Sequence, residues 1–161
     1  MINIKFFIFF FIIVFSYTNI QSANEVLIYA DNISYDANQN IIARGNAKII
    51  FEKKILTSDL IIYDKNNGKY NLPSNFSFKD DKNNYYSGSS AIFSKNLNTA
   101  EINDIKLLLS DGSRIVGQSA LKDGDIDIIT KGAYSPCDSK IKIGNFICPI
   151  WQIEGEKILH D

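Results

Sequence analysis

Apolar and polar residues alternate with a period of two through most of this chain, in short runs broken by turn-forming pairs. Ala47, Ile49 and Phe51 share one face against Lys48 and Glu52. Ile105, Leu107 and Leu109 oppose Asp104 and Lys106, and Ile126 and Ile128 oppose Asp125 and Asp127. That period belongs to strands, whose successive side chains point to opposite faces. Around Leu60 to Tyr63 both faces are apolar, and the pattern leaves parity open there. Asn67-Gly68, Asp111-Gly112 and Asp123-Gly124 tolerate positive φ and predict tight hairpin turns; Ala37 to Asn40 and Asp80 to Asn84 predict looser ones. No long segment keeps a helical period. The expectation is an all-β, antiparallel domain.

The strands repeat. Ala30-Asp31-Asn32-Ile33-Ser34-Tyr35-Asp36 returns as Ser58-Asp59-Leu60-Ile61-Ile62-Tyr63-Asp64. It returns more weakly as Ser89-Ser90-Ala91-Ile92-Phe93-Ser94-Lys95, and a further copy starts at Ser119-Ala120-Leu121. A spacing of about thirty residues falls within the range of repeat architectures. Each unit reads as a strand pair that cannot bury its apolar face alone, so the units must stack.

The first residues are of another kind. Lys5 precedes the unbroken apolar run Phe6 to Phe15, and Ile20-Gln21-Ser22-Ala23 offers small residues for cleavage. This is the layout of a secretory signal peptide over 1–22, since the run is about half the ~20 residues a spanning helix needs. Export places Cys137 and Cys148 in an oxidising compartment. A bond between them would close a short loop worth roughly 3 kcal/mol; pairing of each with another chain or segment is equally open.

Charge and chemistry exclude more than they assign. Lys and Arg number 17 against 18 Asp and Glu, a net charge of −1 with no basic block, which argues against nucleic acid as a partner. Two cysteines and the lone His160 fall short of a four-ligand zinc set, and no cofactor motif is present. No nucleophile, base and orienting acid group by motif, so no enzyme is expected. Asp31, Asp59, Asp125 and Asp127 read as strand-end or solvated acids. Asn32-Ile33-Ser34 and Asn75-Phe76-Ser77 fit the glycosylation acceptor pattern, which recurs by chance in an Asn-rich chain.

Ala30-Asp31 with Tyr35, followed by Ala43-Arg44-Gly45-Asn46-Ala47-Lys48-Ile49, resembles the repeat of the OstA-like domain family. This family comprises periplasmic lipopolysaccharide-transport domains, among them the soluble LptA type and the amino-terminal part of the outer-membrane LptD type. The tail decides for the LptD type: Tyr134-Ser135-Pro136-Cys137, Cys148-Pro149, Trp151-Gln152-Ile153 and Lys157-Ile158-Leu159-His160-Asp161 resemble the link between that domain and its β-barrel. The resemblance thus implies an OstA-like domain over 23–132 and a Cys-containing linker over 133–161, with the barrel absent beyond Asp161. A soluble LptA-like bridge and a fragment of a split gene are the alternatives. Family members often join front-part cysteines to cysteines near or in the barrel. That linkage cannot form within this chain, which favours a local Cys137–Cys148 bond or free thiols.

The resemblance also implies a fold and a cargo. The fold is a jelly-roll-like stack of strand pairs opened into a V, and the cargo is lipopolysaccharide, its acyl chains held in an apolar groove. At about 0.8 kcal/mol per buried methylene, bare transit of several acyl chains through water is prohibitive. The candidates for lipid contact are Ile33, Tyr35, Ala47, Ile49, Phe51, Ile105, Leu107, Leu109, Ile126 and Ile128; a filled sandwich core accounts for the same alternation. Another OstA-like domain is expected to dock by edge-to-edge strand addition at Val26 to Ala30, and a separately encoded barrel is a further partner. Localisation follows as periplasmic, outer-membrane associated if joined to a barrel.

Overall fold

The computed structural model describes residues 25–136 and 152–161, and the backbone alone of 142–143 and 146–147. The stretch 1–22 expected to be a signal peptide, Cys137 and Cys148 lie outside the described residues. All regular structure described is β: β1 (Val26–Tyr29), β2 (Asn32–Tyr35), β3 (Ile41–Phe51), β4 (Lys54–Asp64), β5 (Lys69–Leu72), β6 (Phe76–Lys79), β7 (Tyr85–Gly88), β8 (Ser90–Ser94), β9 (Thr99–Asn103), β10 (Lys106–Leu108), β11 (Arg114–Asp123), β12 (Ile126–Ser135), β13 (Lys142–Ile143), β14 (Phe146–Ile147) and β15 (Ile153–His160). All pairs are antiparallel, and β13 and β14 form a separate two-stranded ladder.

One rule builds the stack: a long strand pairs with two short ones along a single edge. The outer edge of β3 is shared by β1 at 48–51 and β2 at 41–44. The far edge of β4 is shared by β6 at 55–58 and β5 at 62–64. An edge of β11 is shared by β10 at 114–116 and β9 at 119–123. The short strands therefore fall into two layers, β1, β6, β7 and β10 in one (the β6 layer) and β2, β5, β8 and β9 in the other (the β8 layer). The long strands cross a crease from one layer to the other. The result is an antiparallel jelly roll, as the sequence led us to expect.

The repeat marks this crossing. The copies, at Ala30, Ser58, Ser89 and Ser119, each begin where the chain passes the crease into the β8 layer. The third copy is offset by one from its sequence alignment, because Phe93, not Ser94, lies in the cross-strand row of Tyr63 and Tyr70. The crease is lined by small residues. Gly117, Gly132 and Gly155 sit opposite one another on β11, β12 and β15, and Ala47 sits opposite Ser58 on β3 and β4. A Cβ on Gly117 would collide with the Ile129 side chain, and one on Gly132 would lie 2.8 Å from Ile158 Cδ1.

The turns are those the sequence marks. Gly68, Gly112 and Gly124 have positive φ in the β4–β5, β10–β11 and β11–β12 connections, and Gln39 and Asn83 in the two looser turns. Aspartates secure them. Asp36 accepts from the backbone N–H of Asn38 and Asn40, Asp64 from Asn66 and Asn67, and Asp111 from Ser113. These are Asx turns, in which a carboxylate replaces a backbone acceptor.

Two described parts of the stretch 133–161, expected as a linker, pair into the stack. Ala133 to Ser135 complete β12, and β15 pairs along β12 from Asp127–His160 to Tyr134–Ile153. Ile153, Ile158 and Leu159 give β15 the apolar positions of a strand.

Candidate functional site

The surface between the two layers is the candidate site. Strand register defines it, since paired residues point to the same side. In the β6 layer one inner row runs Ile28, Ile49, Leu56, Phe78, Tyr86, Leu107, Ile115, Tyr134, Ile153. In the β8 layer a row near the free rim runs Tyr35, Ile41, Tyr63, Tyr70, Phe93, Ala100, Lys122, Asp127, His160. Among the described residues each row starts on a strand with an unpaired outer edge (β1 or β2) and ends on β15. The inner surface is thus apolar for most of its length, continuous, and reaches both ends of the stack.

In its middle this surface is closed and filled. Phe78 and Phe93 meet across the layers with ring centroids 4.9 Å apart, and Phe78 lies 5.5 Å from Tyr86. Leu56, Tyr70, Phe78, Phe93 and Ile129 are fully buried. Burial pushes the Tyr70 phenol up to about 12, with the neighbouring Tyr63 adding to the rise. At the two ends the inner rows emerge. Ile33, Tyr35 and Ile153 keep inward parity yet are exposed, because no further strand among the described residues covers them.

The sequence candidates divide accordingly. Ala47, Ile49, Ile105, Leu107 and Leu109 are buried between the layers, and Phe51 is half-buried against them. Ile33 and Tyr35 face inward at the open amino-terminal end. Ile126 and Ile128 do not face inward, which corrects the alternation reading of β12. Ile126 is exposed, Ile128 pairs with the outward Leu121 and Leu159, and Asp127 and Ile129 point inside. Asp127, a solvated acid by its sequence pattern, is 2% exposed.

A buried polar cluster explains how a carboxylate occupies that place. Tyr86 Oη of the β6 layer donates to Asp127 Oδ2 of the β8 layer at 2.9 Å. Lys122 Nζ donates to Tyr86 Oη at 3.1 Å, donates to the Gly124 carbonyl at 2.8 Å and stands 3.6 Å from Asp127 Oδ1. His160 Nδ1 lies 3.4 Å from Asp127 Oδ2, and Asp80 Oδ2 lies 3.4 Å from Tyr86 Oη. Burial first, and the Asp127 charge second, push the Tyr86 phenol far above its ordinary value. A phenol held neutral is a hydrogen-bond donor here. The only sequence signal for the cluster is Lys122 and Asp127 flanking a predicted Asp-Gly turn.

The fold is shared with a solved structure. The chain superposes on LptH, "the LptA homologous periplasmic component of the conserved lipopolysaccharide transport device from Pseudomonas aeruginosa", with a TM-score of 0.53 at 15% sequence identity. The match covers 62% of this chain and 76% of that one. The likeness is one of fold. No family model matches the sequence, and no curated protein does.

Outside the interior, a shallow concavity of about 600 Å³ lies on the outer side of the β8 layer, between Asn71, Ile92, Glu101, Leu121 and Thr130. Another of about 230 Å³ lies at the free rim, walled by Lys54, Asp80, Asn98, Lys122 and Asp125. Among the described residues no group of His, Cys, Asp and Glu side chains could hold a metal ion.

Proposed function

We propose that this chain is a non-catalytic, exported lipid-handling domain that carries lipopolysaccharide acyl chains between its two β layers on the way to the outer membrane. The observation that carries the reading is the inner apolar surface that reaches both unpaired edges of the stack. A globular core of the same size would end inside the molecule. The fold shared with the periplasmic LptH supports it, as do the Asp31 and Gly45-Asn46 motifs that resemble the OstA-like repeat.

The two edges fit a partner of the same kind. Among the described residues β15 is a long strand with one edge unpaired, and β1 with β2 are two short strands with theirs unpaired. Within the stack long strands pair antiparallel with such short couples; β15 of one domain against β1–β2 of the next would repeat the long-to-short match in parallel. Joined so, Ile153 and Ile158 would abut Ile28 and Ile33, and the apolar surface would run on from domain to domain.

Within this function, the residues of the tail support an LptD-type front domain, whose barrel would be a partner. The regular pairing of β15 along β12 supports an LptA-like bridge. Co-purification of the exported chain with an outer-membrane barrel distinguishes the two.

Photo-crosslinking tests the lipid reading. A photoreactive residue at Tyr35 or Ile153, inward and exposed, should capture lipopolysaccharide in cells. The same residue at Leu121 or Ile126, outward and exposed, should not. Equal capture at all four positions, or none at any, would defeat it.

A further inference from the structure

The two layers meet along the crease, and their free rims carry the turns. On the β6 layer the rim is formed by 52–53, 80–84 and 109–113; on the β8 layer by 36–40, 65–68, 95–98 and 124–125. Between β4 and β12 these rims do not stand apart. Lys54 Nζ reaches across to the Asn98 side-chain carbonyl and to the Asn96 carbonyl. Lys82 and Asp125 pair at 3.3 Å on the surface. Beneath them lies the Tyr86, Asp127 and Lys122 cluster, with Phe78 and Phe93 directly behind it. The mouth of the fold is thus shut by polar contacts over an aromatic interior.

Such a seam is poorly explained as a stabilising device. A buried ion pair seldom improves on apolar residues of the same volume, because desolvation offsets the attraction. Here the offset is visible, since Asp127 Oδ1 is buried and has no hydrogen-bond partner. Opening an apolar seam exposes apolar surface to water at full cost. Opening this one returns Lys122, Asp127 and Asp80 to water and satisfies the orphaned oxygen. The closed state is therefore held by directional contacts whose loss is compensated as the rims part.

We propose that Tyr86, Asp127 and Lys122, flanked by Lys54–Asn98 and Lys82–Asp125, form a polar clasp that opens the rims between the β6–β7 and β11–β12 hairpins and admits an acyl chain sideways onto Phe78 and Phe93. The inference rests on the lipid-carrying reading above and adds to it a lateral route of entry, distinct from threading through the ends.

The test locks the clasp. Lys82→Cys and Asp125→Cys are introduced together, with Cys137→Ser and Cys148→Ser, and bridged by a bifunctional methanethiosulfonate that a reductant removes. The probe is lipopolysaccharide carrying a fluorophore on an acyl chain. The bridged protein should capture it at least tenfold more slowly than the same protein after reduction. Equal capture by bridged and reduced forms overturns the clasp and leaves lipid carriage standing. Capture by neither the reduced form nor the parent overturns lipid carriage, and lateral entry with it. Hydrogen exchange gives a lipid-free readout. Asp127→Asn and Tyr86→Phe should each speed exchange at least tenfold in β7 and the start of β12, relative to β3; unchanged exchange there also overturns the clasp.

Discussion

Asp31 and Asn46 are joined side chain to side chain at 2.9 Å, and the Asp31 N–H donates to the Gly45 carbonyl at 2.9 Å. The contact fixes the corner at which β3 leaves one layer for the other. Gly45 and Asn46 both take positive φ there, and the β3–β4 register shifts between Arg44 and Ala47. The Gly-Asn motif is thus a β-bulge, a device that bends one strand and re-aims the side chains beyond the bend. Asp31, one of the repeated acids, holds it from the adjacent turn.

Gly45→Ala should lower the unfolding free energy by about 1–3 kcal/mol. The new Cβ would lie 2.5 Å from Asp31 Oδ2, at a φ of +72° that L residues rarely adopt. Gly155 is the control. It stands on the end strand with its nearest neighbour at 3.5 Å, so Gly155→Ala should change the urea midpoint little.

The facing of β12 predicts opposite results at neighbouring residues. Asp127→Ala removes the acceptor of Tyr86 and leaves Lys122 buried without its carboxylate, a loss of about 3 kcal/mol. Ile126→Ala, on an exposed outward residue, should stay within about 0.5 kcal/mol. A larger loss at Ile126 than at Asp127 in chemical denaturation would reverse the assignment.

Phe78 and Phe93 carry the contact between layers. Either one replaced by Ala should cost about 3–5 kcal/mol, through lost burial and the cavity left behind. Thermal unfolding of the purified domain reads this directly.

Acid should act through the turns. Asp36, Asp64 and Asp111 are held below the ordinary carboxylate range: Asp36 by the Asn40 N–H, Asp64 by the Asn67 side chain, Asp111 by the Ser113 hydroxyl. A depressed value in the folded state stabilises it above the unfolded value of about 3.9, and this is lost as pH falls through the folded values. Replacing all three by Asn should flatten the dependence of stability on pH below about 4. An unchanged slope would show that the acid sensitivity lies elsewhere.

Alkali should act through Tyr70. Its raised value favours the neutral phenol in the folded state, so that contribution is whole below the ordinary phenol value of about 10. It is lost as pH rises through about 12. Tyr70→Phe should remove one late-ionising phenol from the tyrosinate absorbance titration; a titration unchanged at its alkaline end would contradict this.

Strands, turns and the corner are written locally in the chain. Period-two alternation, Asp-Gly and Asn-Gly pairs and the Gly45-Asn46 bulge act over a few residues, so their physics is complete within a short window. The same window holds that Ala47 and Ile49 face the same way as each other, and that Ile126 and Ile128 do. Which side is inside was left to packing. Alternation relates side chains within a strand and is silent about the neighbour that covers them. At β12 the choice fell to Tyr86, on a strand of the opposite layer, and to Lys122 across the hairpin, which together accept Asp127 in the interior. Packing likewise makes Tyr35 and Ile153 inward yet exposed. A strand covers a residue only where another strand lies beyond it, and these two stand at the ends of the stack.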